Sequence, residues 1–139
     1  MNAEYNEVRK FHEIFEHPVS DVPCLLSEER VHIRSSWMLE ELDEFNRATN
    51  IVDQADAIID LLYFGLGTLV EMGIPPDELF ALVQAANMEK LWPDGKPHFR
   101  EKDHKTIKPA GWQTPEPKMQ AIINRMIDDY KNRLAVVGG

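Results

Sequence analysis

The sequence has little cysteine, no long uninterrupted apolar run and almost no strand-like alternation. Cys24 is its single cysteine, so an intramolecular disulfide is excluded and a reducing cytoplasm is the expected location. The longest apolar segment, residues 52–73, is interrupted by aspartates and glycines, and we therefore expect no membrane span. No N-terminal stretch has the basic flank and apolar run of a signal peptide.

An excess of basic residues is also missing. The formal net charge is −9, which argues against broad binding of a nucleic-acid polymer through a basic surface. An acidic chain that binds a polyanionic ligand needs cations between itself and that ligand.

Helical signals dominate what remains. A chain of 139 residues fits one domain, here residues 1–139, and can bury a core without disulfides or a structural metal. Apolar residues recur at helical spacing, and caps, glycines and prolines mark the ends of the segments. The predicted helices cover residues 1–16, about 28–50, 51–71, a segment opening at Asp77, and a last segment after Pro117. The prediction is an all-α protein, a four-helix bundle with an additional N-terminal helix and a long irregular loop before the last helix.

The helix predicted from residue 51 to 71 carries an acidic stripe. Asp53, Asp56 and Asp60 fall within a wedge of about 60° on a helical wheel, while apolar residues cover most of the remaining surface. One interpretation is that this stripe is simply the solvated face of the helix.

The preceding helix supports a different interpretation of the stripe, because it holds Glu40, Glu41 and Glu44. Two helices joined by a very short connection pack antiparallel, so the two sets of carboxylates can face each other. Like charges buried together would cost several kcal/mol if uncompensated, on the order of a broken buried ion pair. A hard divalent cation, Mg²⁺ or alternatively Mn²⁺, removes that cost because it prefers oxygen ligands. We therefore predict a divalent-metal site between these helices.

A second metal hypothesis rests on the pair Glu29-x-x-His32, of the type used in di-iron carboxylate bundles. Such sites need two of these pairs, and no convincing second pair is present. Glu29 also stands in the first helical turn, where an acid favours the helix dipole. The Mg²⁺ or Mn²⁺ site between the two acidic helices is therefore preferred over a di-iron site.

The segment from Trp92 to Pro117 is long for an idle connection. It holds five Lys or Arg against four acids, a net charge of +1 that leaves −10 for the rest of the chain. Cationic side chains near a carboxylate–metal site suit a ligand with several phosphates. Trp92 and Trp112 either cover a base or pin the loop, and a solvated, partly disordered loop remains the alternative.

Four blocks in order resemble a known family. Glu40-Glu41-x-x-Glu44, "DLLYFGLGT", "AANMEK" and "KTIKPAGW" are similar to blocks of the all-α nucleoside triphosphate pyrophosphohydrolases. That superfamily contains MazG, the dimeric dUTPases and phosphoribosyl-ATP pyrophosphohydrolase. The resemblance covers most of the chain and implies a MazG-like fold.

The resemblance implies Mg²⁺-dependent cleavage between the α- and β-phosphates of a nucleoside triphosphate, with dUTP among the candidates, giving a monophosphate and pyrophosphate. It makes Glu41, Glu44 and Asp60 metal ligands, and Glu40 a ligand or the residue that orients the attacking water. The family has a glutamate three residues before this aspartate, where this chain has Ala57. Asp56, on the same helical face, is taken as the replacement ligand, with Asp53 left as the other choice.

The resemblance also implies substrate contacts. Asn87 and Lys90 would contact phosphate or sugar, although Asn87 also suits a helix C-terminal cap. Lys105 and Lys108 would hold phosphates, Lys108 also stabilising the leaving pyrophosphate, and Trp112 is a further candidate contact. Family members are dimers or tetramers, so a homodimer or homotetramer is expected. The alternative function is a catalytically degenerate helical module that binds nucleotide or protein, which the departure at Ala57 keeps open.

Overall fold

The computed structural model describes residues 1–138. In this range the chain forms five α-helices, and its one β-type pairing is an isolated bridge between Phe99 and Thr106. The all-α class with an N-terminal helix is thereby confirmed. The helices are α1 (Asn2–Ile14), α2 (Glu28–Arg47), α3 (Ile51–Met72), α4 (Asp77–Met88) and α5 (Glu116–Val137).

The chain divides into two compact units. Unit 1 contains Met1–Pro76 together with the chain from Met126 onward, and unit 2 contains Asp77–Arg125. The single domain expected from chain length stays a prediction. Within residues 1–138, no single helix is long and apolar enough to cross a membrane; α3 and α4 reach that length and apolarity only as a bent pair.

The helix ends in unit 1 follow the signals in the sequence. Ser27 caps α2, its Oγ accepting from the Arg30 N–H at 3.2 Å, because an N-cap hydroxyl satisfies one of the free N–H groups of the first turn. Gly73 ends α3 with a φ of +68°, the left-handed conformation that favours glycine. A Cβ at Gly73 would overlap the carbonyl of Val22, so the connector after α1 can pass closely over the end of α3.

Unit 1 is built around α3. Both α1 and α2 pack on it, and the pairs that join α2 to α3 show an antiparallel arrangement: Arg30 bonds to Glu71, whereas Arg34, one turn later in α2, bonds to Thr68. The main core cluster lies between α1 and α3. It consists of Tyr5, Val8 and Val70, with Val19, Leu66 and Leu69 packed against it.

Unit 2 contains α4, the irregular segment and the start of α5. The segment folds on itself, since Ile107 N–H donates to His98 O at 2.7 Å and Arg100 N–H donates to Lys105 O at 2.8 Å. We call this part, residues 92–109, the loop hairpin. The irregular structure was predicted, but α5 begins at Glu116, earlier than expected, because a proline is tolerated in the first helical turn.

Candidate functional site

Glu41 is the centre of the candidate metal site. Its side chain is buried on α2, with 9% of the residue exposed, and its Oε2 has no hydrogen-bond partner among residues 1–138. Burial raises the pKa of Glu41, and the negative charges of Glu44, Asp60 and Asp56 raise it further. A buried carboxylate oxygen without a partner is costly, so this position calls for a proton or a cation.

The four carboxylates lie on two neighbouring helices. Glu41 and Glu44 lie one turn apart on α2, Asp56 and Asp60 one turn apart on α3, and side chains at these spacings are neighbours on a helix surface. The described part of the chain nevertheless contains no group of three or more His, Cys, Asp or Glu side chains already gathered as a metal site would require. The acids are therefore neighbours within electrostatic range and are not preassembled ligands, and their roles stay predictions.

The structure distinguishes Asp53 from Asp56. Asp53 belongs to the cap of α3: its N–H donates to Asn50 Oδ1 at 2.9 Å, and its Oδ2 accepts from Asn50 Nδ2 at 2.6 Å. Asp56 instead contributes to the raised pKa of Glu41. Ala57, at the position where the family has its glutamate, is 2% exposed. An acidic recess of about 300 Å³ opens where α2 ends and α3 begins, lined by Glu44, Arg47, Ala48, Asp53 and Asp56.

Glu40 lies on a different surface of α2. It is exposed and lines a recess of about 320 Å³ whose other walls are mostly aromatic. In that recess the ring of Trp37 meets His17 edge-on, with 6.1 Å between ring centroids, and the Arg34 guanidinium lies 5.0 Å from the Trp37 ring. The remaining lining residues are Phe11, His12, Tyr63 and Phe64. The aromatic recess was not predicted from the sequence, because its residues come from three separate segments with no common spacing.

A buried ion triad, also missed, joins α2 to α3. Arg30 donates to both carboxylate oxygens of Glu71, at 2.8 and 2.9 Å, and Arg34 Nη1 lies 3.1 Å from Glu71 Oε2. Arg34 and Glu71 are each 3% exposed. Arg34 also donates to Phe64 O and Thr68 Oγ1. The signal was present, since Arg30 and Arg34 share a helix face and Glu71 is the one acid in the apolar second half of α3.

All five predicted substrate residues lie in unit 2, and contacts connect four of them: Asn87, Lys90, Lys108 and Trp112. Lys90 Nζ donates to Asn87 Oδ1 at 2.7 Å, and the Trp112 ring has Lys90 Nζ 5.4 Å and Lys108 Nζ 4.6 Å from its centroid. Trp112 Nε1–H donates to Ala86 O at 2.7 Å, which agrees with the role of pinning the loop.

Lys105 and Trp92 lie, like Lys108, in the loop hairpin. Lys105 is exposed there, and its backbone N–H donates to Asp103 Oδ1 at 3.2 Å. Trp92 stacks on His98, with 4.0 Å between ring centroids, and its Nε1–H donates to Ile107 O at 3.0 Å. Trp92 therefore also pins the segment.

The chain is similar to a known protein family and to a solved structure. The family model described as phosphoribosyl-ATP pyrophosphohydrolase matches residues 8–87, a stretch that contains all of the candidate carboxylates. A crystal structure of a proposed NTP pyrophosphohydrolase from Exiguobacterium sp. 255-15 is similar, with 33% sequence identity and a TM-score of 0.52 over 91% of this chain and 97% of that one. No curated protein sequence matches the chain at a significant level.

Proposed function

Because the chain belongs to the phosphoribosyl-ATP pyrophosphohydrolase family, we propose that it is a metal-dependent nucleoside triphosphate pyrophosphohydrolase. The proposed reaction hydrolyses the bond between the α- and β-phosphates of a ribo- or deoxyribonucleoside triphosphate, dUTP included, and releases a monophosphate and pyrophosphate. The observation that carries the proposal is the buried, partnerless Oε2 of Glu41 among three other carboxylates.

A divalent cation suits this set of donors. Carboxylate oxygens are the ligands that Mg²⁺ and Mn²⁺ prefer, and a cation would neutralise the repulsion that raises the pKa of Glu41. Glu41, Glu44, Asp56 and Asp60 are the proposed ligands; Glu44, Asp56 and Asp60 would turn toward Glu41 on binding, since they are not gathered beforehand. When bound, the metal would activate a water and polarise phosphate oxygens.

The remaining predicted residues have roles that follow from their charge. Glu40, exposed one residue from Glu41, is proposed to orient the attacking water. Lys90, Lys105 and Lys108 would neutralise phosphate oxygens, since charge-assisted hydrogen bonds to phosphate are the strong ones. Lys108 would also stabilise the charge that develops on the leaving pyrophosphate, and Asn87 would contact phosphate or sugar.

The aromatic recess beside Glu40 supports a nucleoside as the other half of the substrate. Its walls include Trp37, His17 and Tyr63, and flat aromatic side chains suit the face of a base. Inorganic polyphosphates, which have no base, would leave these walls unused.

The exposed apolar surface of α2 and α3 supports a homodimer or homotetramer. Leu39 and Ile59 are both more than 60% exposed, and large exposed apolar surface is typical of an interaction site. We propose that a second copy of the chain covers this surface. The exposed apolar side chains concerned are Leu39, Leu42, Phe45, Ile51, Ile58, Ile59 and Leu62.

A second candidate function is a degenerate module that binds nucleotide or a protein partner without turnover. It is favoured by Ala57 in place of the family glutamate and by the lack of a preassembled ligand group in residues 1–138.

One experiment distinguishes the enzyme from the non-catalytic module. A panel of ribo- and deoxyribonucleoside triphosphates is incubated with the chain and Mg²⁺ or Mn²⁺, and the products are identified. The enzyme proposal expects monophosphate and pyrophosphate from at least one nucleotide. Release of a nucleoside diphosphate and orthophosphate would show that a different bond is cleaved from the one proposed. No hydrolysis with either metal would favour the degenerate binding module.

A further inference from the structure

The Trp112 ring contacts two ammonium groups from different parts of unit 2. Lys90 follows the end of α4 and Lys108 lies near the end of the loop hairpin, yet both reach the same ring, at 5.4 and 4.6 Å from its centroid. Within residues 1–138, neither lysine has a carboxylate partner. Two ammonium groups beside one ring, with no ion pair from either lysine to the nearby Glu89 or to another acid of the described residues, indicate a prepared site for an anion.

We propose, on the premise of the function proposed above, that Trp112 is a positioning residue for the pyrophosphate part of the substrate. Its ring holds the ammonium groups of Lys90 and Lys108 together, so that both meet the same pair of phosphates. In this proposal the indole positions the lysines that hold the phosphates and does not stack on a nucleobase.

The ring can do this because its own position is fixed independently of the lysines. Trp112 Nε1–H donates to the carbonyl of Ala86 at 2.7 Å, and Ala86 is a buried residue of α4. The Trp112 backbone N–H donates to Pro109 O at 3.2 Å, across a turn in which Gly111 has a φ of +82°. The π face is therefore presented at a set place beside the end of α4.

The physical gain is pre-organisation. A lysine side chain loses much rotamer freedom when it is fixed on a ligand, and the attraction of a cation to an aromatic face opposes the repulsion between the two ammonium groups. Lys90 is also held by Asn87, through the 2.7 Å bond from Nζ to Oδ1. Part of the ordering that a bound pyrophosphate requires is thus present before it binds.

Binding of inorganic pyrophosphate to the full chain, measured by calorimetry, tests the proposal with two variants. Trp112→Phe keeps an aromatic face and loses the N–H bond to Ala86, whereas Trp112→Leu loses both. We expect roughly three- to tenfold weaker pyrophosphate binding in Trp112→Leu, the range set by cation–π attraction and side-chain ordering, and most of the affinity retained in Trp112→Phe. In turnover, KM should rise by a larger factor in Trp112→Leu than kcat falls.

Equal losses in Trp112→Phe and Trp112→Leu would show that only the bond to Ala86 matters, and would overturn the proposal, as would full affinity in Trp112→Leu. A coupling test adds Trp112→Leu to the double variant Lys90→Gln/Lys108→Gln. If the ring acts through the lysines, the added substitution should cause no further loss of pyrophosphate affinity. A further loss as large as the one that Trp112→Leu causes in the unmodified chain would contradict the proposal. Lys118→Gln, a lysine elsewhere in unit 2, is the charge control and should bind as the unmodified chain does.

The premise can fail separately. If no nucleoside triphosphate is hydrolysed but pyrophosphate binding still depends on the ring, the catalytic function is rejected and the role of Trp112 stands. If a nucleoside triphosphate is hydrolysed but pyrophosphate binding does not depend on the Trp112 ring, the catalytic function stands and the role of Trp112 is rejected.

Discussion

Asp60 on α3 lies close enough to Glu41 on α2 for its negative charge to act on the Glu41 carboxyl. Burial is the largest cause of the raised pKa of Glu41, followed by Glu44 and then Asp60. The chain thus keeps a carboxyl group where an anion is disfavoured, without a hydrogen bond to its Oε2. Proteins retain such unfavourable arrangements mainly at functional sites.

Glu41→Gln should stabilise the metal-free protein and abolish its hydrolase activity. Glu41 is harder to ionise in the folded than in the unfolded chain, so its charge costs stability at neutral pH. The cost shrinks as the pH falls through the raised pKa and is gone only below the pKa of the unfolded chain. We expect the Tm at pH 7.5 in chelator to rise, by roughly 2–4 °C for each kcal/mol relieved. Asp43→Asn, which removes an exposed acid paired with Arg47, should leave the Tm nearly unchanged. A lower Tm in Glu41→Gln would contradict the account.

In His12→Asn, the free energy of unfolding should fall less steeply with decreasing pH than in the unmodified chain. Burial is the main cause of the lowered pKa of His12, and Arg34 and His17 lower it further, opposed by Glu71 and by the hydrogen bond to Pro18 O. The unfolded chain therefore binds more protons below about pH 6.5, and stability is lost as the pH falls from there.

The difference in unfolding free energy between unmodified chain and His12→Asn, measured by urea titration from pH 5 to 7.5, isolates this group. The contribution of His12 should fall with a slope of up to about 1.4 kcal/mol per pH unit below pH 6.5. A difference that does not change with pH would show that His12 has the same pKa in the folded and the unfolded chain, and would contradict the prediction.

Glu71→Gln should be strongly destabilising, because it leaves two guanidinium groups without a compensating charge. Arg34 is 3% exposed and the Glu71 side chain is fully buried, and breaking such a pair typically costs about 3–5 kcal/mol. Arg30, whose side chain is 26% exposed, can be hydrated in part, so Arg30→Gln should cost less. Urea unfolding of both variants checks the order, and a smaller loss in Glu71→Gln than in Arg30→Gln would refute it.

Two glycines of α3 should respond to alanine in opposite directions. A Cβ at Gly67 would overlap Arg34 Nη2 and lie 2.8 Å from His12 Nε2, whereas one at Gly65 meets nothing within 4 Å. Gly67→Ala should cost about 1–3 kcal/mol through overpacking, and Gly65→Ala should gain up to about 1 kcal/mol from helix propensity. Thermal unfolding of the matched pair is the measurement, and equal effects would show that the space beside Gly67 is larger than described.

The fold was largely predictable because its signals are local. Caps such as Ser27 and the terminal glycine Gly73 depend on residues within one turn, and the sequence states them directly. The end of α5 nearest the loop was placed late, because Pro117 was taken as a stop although a first-turn proline is compatible with a helix. The α2–α3 pairing also followed, since a three-residue connection leaves two helices little choice but to run antiparallel.

The candidate site was predictable in part. The acid stripes predicted that carboxylates of α2 and α3, Glu41 and Asp60 among them, lie near one another, because helical spacing fixes which side chains share a face. Their role as metal ligands stays a prediction. Spacing does not reveal which carboxylate loses its solvent, and so the burial of Glu41 emerged only from packing. The aromatic recess around Trp37 and the ion triad around Glu71 combine residues far apart in sequence, which a single sequence does not relate to one another.

The most direct test of the account is the rate of Mg²⁺-dependent pyrophosphate release from a nucleoside triphosphate that the unmodified chain hydrolyses. This rate is measured for Asp60→Asn and for its matched control, Asp43→Asn. The substitution keeps the size of the side chain and removes one proposed ligand charge. We predict a loss of at least about 100-fold in kcat/KM for Asp60→Asn, since even outer partners of metal ligands cost 10–100-fold, with near-normal activity in Asp43→Asn. Full activity in Asp60→Asn would contradict the claim that the carboxylates of α2 and α3 share a catalytic metal.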